Sequence, residues 1–147
     1  MFRGRHKHTI DAKGRLSIPA GYRMELQKRS DQPPILTGDQ KCLRLYPAKD
    51  WCGYEKKIVA EAAVDPDAQD FVRLVVSSAV EAPIDKQGRI LVPQYLREQA
   101  HIQKDVTLAG VGQTVELWDT ARLAEHLDLT QANFREISSG IAEKLRS

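Results

Sequence analysis

The sequence predicts an α+β fold in which two copies of one hairpin unit pair across a pseudo-twofold axis and form a small closed barrel with flanking helices. The leading observation is a pattern that occurs twice, at residues 11–19 and 85–93, and reads Asp-x-x-Gly-Arg-apolar-x-apolar-Pro in both places. The second observation is that a two-stranded hairpin buries too little apolar surface to be stable alone. The two copies in this chain of 147 residues are therefore expected to share one compact domain, 1–147.

Each copy of the pattern contains the residues that a tight turn between two strands requires. In the first copy, the Asp11 side chain can accept hydrogen bonds from backbone N–H groups of the turn, and Gly14 tolerates a positive φ. Leu16 and Ile18 are two residues apart, so they share one face of a strand while Arg15 lies on the opposite face. We therefore predict a short β-hairpin whose second strand starts at Arg15.

The residues that follow each hairpin predict a short helix, two strands and another helix. A proline at the end of each pattern stops the strand and suits the first turn of a helix. The sequence predicts helices at 20–29, 94–100, 67–80 and 131–145, strands near 35–37 and 106–108, and alternating strands that begin at residues 43 and 115. The first repeat is thus expected at about 5–56, the second at about 79–127, and a C-terminal helix at 130–147.

The charge of the chain is distributed unevenly. The formal net charge is +2, but residues 1–29 contain eight Lys and Arg against two acidic residues, which gives this segment +6 and the rest of the chain −4. A basic segment of this kind indicates a polyanionic partner. No apolar run is long enough to span a bilayer and no signal-peptide core is present, so a cytoplasmic protein without a membrane partner is expected.

The sequence gives no indication of an enzyme, a cofactor or a metal site. Asp11 and Asp85 occupy the same place in two turns, so we interpret them as turn residues and not as a catalytic carboxylate pair. His6 and His8 share a strand face but have no third metal ligand near them. There is no phosphate-binding glycine loop and no nucleophile motif. The two cysteines are interpreted as unreactive thiols.

The repeated pattern resembles the swapped-hairpin β-barrel DNA-binding domains of the AbrB family. Its duplication in one chain of this length, together with residues 1–4, 8–11 and 13–16, is similar to the MraZ branch of that family. This resemblance implies a bacterial transcriptional regulator, mainly a repressor, associated with the division and cell-wall gene cluster. It also implies a homo-oligomeric ring that binds direct repeats in double-stranded promoter DNA, at the nucleoid, through the N-terminal hairpin.

The predicted DNA-binding residues lie in and before the first hairpin. They are Arg15, Lys13, Arg3, Arg5, Lys7 and His8. An arginine can donate two hydrogen bonds to guanine in the major groove, while lysines mostly neutralise phosphate. A hairpin or ribbon is narrow enough to enter that groove. Arg15 is therefore expected to select bases, and the neighbouring cations are expected to contribute affinity.

The second hairpin differs from the first in charge. Lys13 is replaced by Gln87 and Ser17 by Leu91, although Lys86 and Arg89 keep some positive charge. We expect that face to contact protein or to contribute only weakly to DNA binding, so Lys86 and Arg89 are secondary or interface residues.

Two further functions fit a hairpin fold of this kind. The first is an antitoxin-like or scaffolding module that binds a partner protein. Antitoxins usually carry a disordered tail, whereas this C-terminus has Phe134, Ile137, Ile141 and Leu145 at helical spacing, so we expect it to dock as a helix. The second is RNA binding, which is disfavoured because no aromatic residues are interleaved with the basic run.

Overall fold

The computed structural model describes residues 1–147, which form eight strands and six helices. The strands are β1 (Arg5–Thr9), β2 (Arg15–Ser17), β3 (Ile35–Gly38), β4 (Leu43–Tyr46), β5 (Val80–Glu81), β6 (Arg89–Leu91), β7 (Asp105–Gly110) and β8 (Val115–Asp119). The helices are α1 (Ala20–Arg29), α2 (Ala48–Ala62), α3 (Pro66–Val75), α4 (Gln94–Gln99), α5 (Thr120–Ala132) and α6 (Phe134–Arg146). Both halves run β-β-α-β-β-α, and each half ends with one additional helix. The predicted α+β class with a duplicated unit is confirmed.

The two repeats exchange strands. A six-stranded antiparallel sheet has the order β1-β7-β8-β4-β3-β5, and β2 and β6 form a separate two-stranded sheet, which we call the ribbon. β1 pairs with β7 and β5 pairs with β3, so the first strand of each repeat is hydrogen-bonded to the third strand of the other. The equivalent strands β4 and β8 pair with each other, as do β2 and β6. These pairings relate the repeats by a pseudo-twofold axis.

The predicted hairpins have the expected turns but not the expected pairing between their own arms. The Asp11 N–H donates to the Arg15 carbonyl at 3.1 Å, and the Asp85 N–H donates to the Arg89 carbonyl at 2.8 Å, so each turn is closed locally. Beyond the turn the arms separate, because β1 and β2 both pair with strands of the second repeat. Pairing between the two arms of one hairpin was therefore a wrong expectation, whereas the exchange of arms implied by the resemblance to swapped-hairpin domains is confirmed.

The core lies between the ribbon and the large sheet and contains residues from both repeats. The two apolar positions of each pattern are fully buried, as Leu16, Ile18, Ile90 and Val92 are at most 1 % exposed. They belong to one cluster of 19 buried residues that also contains residues of the large sheet. Neither pattern therefore has a core of its own.

Most helices begin where the sequence indicates. α1 and α4 start directly after Pro19 and Pro93, and Asp65 caps α3 by accepting the Asp67 N–H at 2.9 Å. α3 is shorter than predicted, because it ends at Val75 and the chain then enters β5. No helix combines the length and the apolar character that crossing a bilayer requires.

The C-terminal helix does not dock on this chain. α6 begins at Phe134, after a break at Asn133, and none of its residues is buried. Its apolar residues, which we call the α6 stripe, are all exposed: Phe134, Ile137, Ile141 and Leu145. The expected amphipathic helix is present, but this chain provides no surface on which it docks, because helical spacing shows that a face is amphipathic and not what covers it.

Candidate nucleic-acid interface

The first turn holds the Arg15 side chain in a fixed direction. Asp11 Oδ1 accepts the backbone N–H groups of Lys13 at 3.0 Å and of Arg15 at 2.9 Å, and Asp11 Oδ2 accepts Arg15 Nε at 2.6 Å. The Arg15 side chain is 38 % exposed, and its two terminal nitrogens have no hydrogen-bond partner in the chain. The turn therefore orients the guanidinium and leaves its outer edge free to bind a ligand.

The second turn repeats this network with one difference. Asp85 Oδ1 accepts the N–H groups of Gln87 and Arg89, both at 2.9 Å, and Asp85 Oδ2 lies 3.3 Å from Arg89 Nε. Here Arg89 Nη2 also donates to Gln87 Oε1, and the Arg89 side chain is only 26 % exposed. Gln87, which stands where the first turn has Lys13, thus accepts a hydrogen bond from one terminal nitrogen of Arg89. The corresponding nitrogens of Arg15 have no partner in the chain.

The ribbon brings both arginines to one surface. Its antiparallel register places Arg15 opposite Leu91 and Ser17 opposite Arg89, while Leu16 and Ile90 pair on the buried side. Because successive strand residues alternate between faces, Arg15, Ser17, Arg89 and Leu91 lie together on the outer face of the ribbon. The two hairpins therefore share one outer face, and the prediction of a separate face for the second hairpin was wrong.

Two further arginines hold the ends of the ribbon, and each lies beside the turn of the other repeat. Arg23 Nη1 donates to the Ile18 carbonyl at 2.7 Å, and Arg97 Nε donates to the Val92 carbonyl at 3.1 Å. A Cβ placed on Gly14 would lie 3.2 Å from the Arg97 guanidinium, so Arg97 of the second repeat packs against the first turn. The tip that carries Lys13 and Arg15 is built from both repeats.

The other predicted DNA-binding residues lie in the N-terminal segment. Arg3, Arg5 and Lys7 are exposed and His8 is half-buried. β1, which carries three of these residues, is an edge strand of the large sheet, with Lys7 opposite Thr107 and His8 opposite Val106. Lys13 in the first turn is exposed, as is Lys86 in the second. The cations of the N-terminus are thus distributed over an edge strand and a turn that follow each other directly.

Tyr22 anchors the N-terminal segment to the core. Its hydroxyl donates to the Gly4 carbonyl at 2.6 Å, and its ring packs edge-on against Phe2 and His6 at centroid distances of 5.8 and 5.1 Å. Burial raises the pKa of Tyr22 above its ordinary value. The backbone between Arg3 and β1 is therefore fixed by a residue of α1.

The turn aspartates are held in their charged form. The backbone N–H of Arg15 is the largest cause that lowers the pKa of Asp11, and the Arg15 side chain and the Lys13 N–H act in the same direction. The backbone N–H of Arg89 is likewise the main cause that lowers the pKa of Asp85. A carboxylate that accepts several N–H groups is stabilised relative to the protonated acid. Both residues therefore act as turn acceptors, and no group of three or more His, Cys, Asp or Glu residues is arranged to hold a metal ion.

Sequence reasoning missed the contribution of the second repeat to the first tip. Arg97 and Leu91 were not considered beside Arg15, because their proximity depends on the strand exchange. One signal was present in the sequence: an arginine follows the motif proline by four residues in both copies, at Arg23 and Arg97. Extending the repeated pattern to that arginine would have identified both ribbon-capping residues.

Comparisons with known proteins agree with the duplicated architecture. A family model described as "MraZ protein, putative antitoxin-like" matches the chain twice, at residues 1–74 and 75–142. The transcriptional regulator MraZ of Halothermothrix orenii is 38 % identical over 143 residues, covering 97 % of this chain and 98 % of that protein. The protein of the same name from Thermoanaerobacter pseudethanolicus is 41 % identical over 143 residues, with the same coverage. That from Desulfitobacterium hafniense strain Y51 is 45 % identical over 127 residues, or 86 % of each chain.

The resemblance drawn from the motif is confirmed by these matches. The family model covers both repeats, and relatives at about 40 % identity extend over nearly the whole chain. These relatives are named as transcriptional regulators, so the expectation that the chain is not an enzyme is confirmed by its family. The chain therefore belongs to the MraZ family.

Proposed function

We propose that this chain is a transcriptional regulator that binds double-stranded DNA sequence-specifically through the tip of its first hairpin. The observation that carries the proposal is the state of Arg15: Asp11 fixes its Nε, while its two terminal nitrogens point outward without a partner. Two parallel N–H donors match the O6 and N7 acceptors of guanine, a contact that gives about 1–3 kcal/mol of discrimination. Because the side chain is oriented before binding, little conformational entropy is lost in the complex.

The neighbouring cations support the same partner. Lys13 lies in the same turn, and Arg3, Arg5 and Lys7 lie on or before the adjoining edge strand, all exposed. Phosphate contacts of this kind set affinity and register without selecting bases. We propose that they, together with His8, flank the base contact of Arg15, while Lys86 and Arg89 contribute less because Gln87 binds the Arg89 side chain.

The family suggests the target of this regulator. We propose that it represses the division and cell-wall gene cluster by binding direct repeats in the promoter, and that it acts in the cytoplasm at the nucleoid. A single basic tip offers few phosphate contacts, so one chain alone binds weakly at cellular salt. Several tips that engage several repeats together raise the effective concentration of each contact. Repeats about 10 base pairs apart would lie on one side of the duplex.

We also propose that copies of the chain assemble head to tail into a ring. A free helix of 13 residues is marginally stable in water, and no residue of α6 is buried, so its stripe is expected to be covered by another molecule. α3 carries a second uncovered apolar surface, Phe71 and Leu74, beside the exposed acidic residues Asp67 and Asp70. The last turn of α6 is basic through Lys144 and Arg146. These surfaces are different, as a head-to-tail interface requires, although Asp70 is already paired with Arg73 of the same helix.

The DNA-binding proposal is tested by comparing Arg15→Ala with Arg89→Ala. The assay is an electrophoretic mobility shift with the duplex upstream of the chain's own gene, repeated at rising salt. We expect Arg15→Ala to lower affinity about 5- to 150-fold for each repeat bound, from the value of one bidentate guanine contact. Arg89→Ala is the matched control and should lose far less. Equal losses would show that both arginines read DNA, and unchanged affinity of Arg15→Ala would refute the proposal.

The assembly proposal is tested on α6. Ile141→Asp places a charge in the middle of the α6 stripe, and Ser139→Asp places the same charge on the opposite, polar face of the helix. Light scattering should give a smaller particle for Ile141→Asp and the wild-type size for Ser139→Asp. An unchanged size for Ile141→Asp would show that the α6 stripe is not the assembly surface.

A second candidate is an antitoxin-like or scaffolding module that binds a partner protein. It is favoured by the wording of the family description and by the same uncovered α6 stripe. The two candidate functions predict different losses for Ile141→Asp: loss of self-assembly for the regulator that forms a ring, and loss of a partner protein for the antitoxin-like module. If α6 binds a partner protein, the variant loses that partner while its particle size and its DNA affinity stay at the wild-type values.

A further inference from the structure

Leu91 is a large apolar residue of the ribbon that lies directly opposite Arg15. Its side chain is 55 % exposed, although its neighbours Ile90 and Val92 are only 1 % exposed. It lies on the outer face of the ribbon with Arg15, Ser17 and Arg89. More than half of Leu91 is thus left uncovered by the chain, and it takes no part in the hydrogen-bond network around Asp85.

The hydrogen-bond pattern places Leu91 beside Arg15 at close range. The Val92 N–H donates to the Gly14 carbonyl at 2.7 Å, and the Ile18 N–H donates to the Gly88 carbonyl at 2.9 Å. Hydrogen-bonded and non-hydrogen-bonded pairs alternate along an antiparallel ladder, so the Arg15–Leu91 pair is a non-hydrogen-bonded one. In such pairs the Cβ atoms are about 4.5–5.5 Å apart. This separation lies between one and two base-pair steps of about 3.4 Å each.

A nucleic-acid surface suits these neighbours better than a protein surface. A protein that covered Leu91 would also remove water from Arg15, whose terminal nitrogens have no partner, and from the Arg89 side chain on the same face. An arginine that loses water without gaining a partner is destabilised. The major groove instead offers acceptors for an arginine and, beside them, the C5 methyl group of thymine, which is an apolar contact for a side chain such as leucine.

We infer that Leu91 contacts the 5-methyl group of a thymine close to the guanine that Arg15 binds. This inference rests on the proposed function. It extends that function, because the second repeat then supplies part of the base specificity of the first tip. The pseudo-symmetric position beside Arg89 is occupied by Ser17, which has no apolar group of comparable size. The outer face of the ribbon is therefore suited to a guanine with a thymine near it at the Arg15 end only.

The test uses the upstream duplex that the wild-type protein binds, with single-base substitutions in one repeat. Each guanine is first replaced by 7-deazaguanine, one position at a time, which removes the N7 acceptor. The guanine bound by Arg15 is the one whose replacement weakens binding of the wild type but does not change the affinity of Arg15→Ala. Replacing each thymine within two base pairs of it by uracil then removes one methyl group at a time. The proteins compared are the wild type, Leu91→Ala and Val111→Ala, which shortens an exposed apolar residue outside the ribbon.

We expect one thymine-to-uracil change to weaken wild-type binding about fourfold, the value of one buried methyl group. Leu91→Ala should bind the thymine duplex about fourfold more weakly for each repeat bound, and it should not respond to uracil. Val111→Ala should behave like the wild type, and all three proteins should have the same particle size in light scattering. Wild-type affinity of Leu91→Ala, an undiminished response to uracil, or a change in its particle size would overturn the inference. Wild-type affinity of Arg15→Ala would instead refute the proposed function itself.

Discussion

Gly14 is a position where the first turn tolerates little change. Its φ is +86°, in the left-handed region, and a Cβ added there would lie 2.7 Å from the Val92 carbonyl oxygen. Gly112 has a φ of +98° but no atom within 4 Å of such a Cβ, so it is a control with backbone strain and no crowding. We expect Gly112→Ala to cost about 1–2 kcal/mol from the unfavourable φ. Gly14→Ala should cost about 2–5 kcal/mol, because crowding against a ladder carbonyl adds about 1–3 kcal/mol.

Urea unfolding followed by tryptophan fluorescence measures both variants, at one protein concentration because assembly contributes to apparent stability. With an m value of about 2 kcal/mol per molar urea, the midpoint should fall by about 0.5–1 M for Gly112→Ala and by about 1–2.5 M for Gly14→Ala. Gly14→Ala should also lose DNA binding in the absence of urea, because a distorted turn would misplace Lys13 and Arg15. Equal midpoints for the two variants would refute the role assigned to the contact with Val92.

The remaining predictions concern pH, thiol reactivity and the core. Because the pKa values of Asp11 and Asp85 are lowered in the fold, their contribution to stability is complete above the unfolded value near 3.8 and is lost as the pH falls through the lowered values. The difference in urea midpoint between the wild type and the double Asp→Asn variant should therefore shrink below pH 3.8; a pH-independent difference would contradict this. Burial raises the pKa of the Cys42 thiol to about 12, whereas Cys52 is exposed, contrary to the expectation that both thiols are unreactive. A thiol reagent at pH 8 should therefore label only Cys52 before unfolding and both cysteines after it. Labelling of Cys42 in the folded protein would contradict its burial. Phe2→Ala should lower the free energy of unfolding by about 3–5 kcal/mol, because Phe2 is buried against Tyr22, and a loss below 1 kcal/mol would show that the N-terminal segment is not part of the core.

Sequence reasoning found the local features of the fold. The Asp, Gly and Arg of the pattern predicted both turns, and the alternation of Leu16 and Ile18 predicted a strand with one buried face. α1 has the predicted bounds, because a proline starts the helix and polar residues end it. These features depend on residues close together in the chain, where turn chemistry and periodicity determine the conformation.

The missing features all depend on contacts between the repeats. Pairing of β1 with β7 cannot be read from β1, since all five of its residues are polar and no buried face fixes its partner or register. The position of Leu91 beside Arg15 follows from the same exchange, so the composition of the first tip was not accessible from either copy alone. For α6, the period of the apolar residues predicted an amphipathic helix, but no part of this chain buries its apolar face.

The exchange of strands has a consequence for how the chain folds during its synthesis on the ribosome. β1 is synthesised first, yet the strand that completes its hydrogen bonds begins only at Asp105, and β2 must wait for Arg89. Until then the nascent first repeat exposes an unpaired strand edge and the apolar side of β2, the kind of surface that promotes aggregation. Closure of the native structure is thus a late event governed by long-range pairing, which is intrinsically slow. A chain interrupted near residue 75 can satisfy these strands only by exchanging them with another incomplete chain.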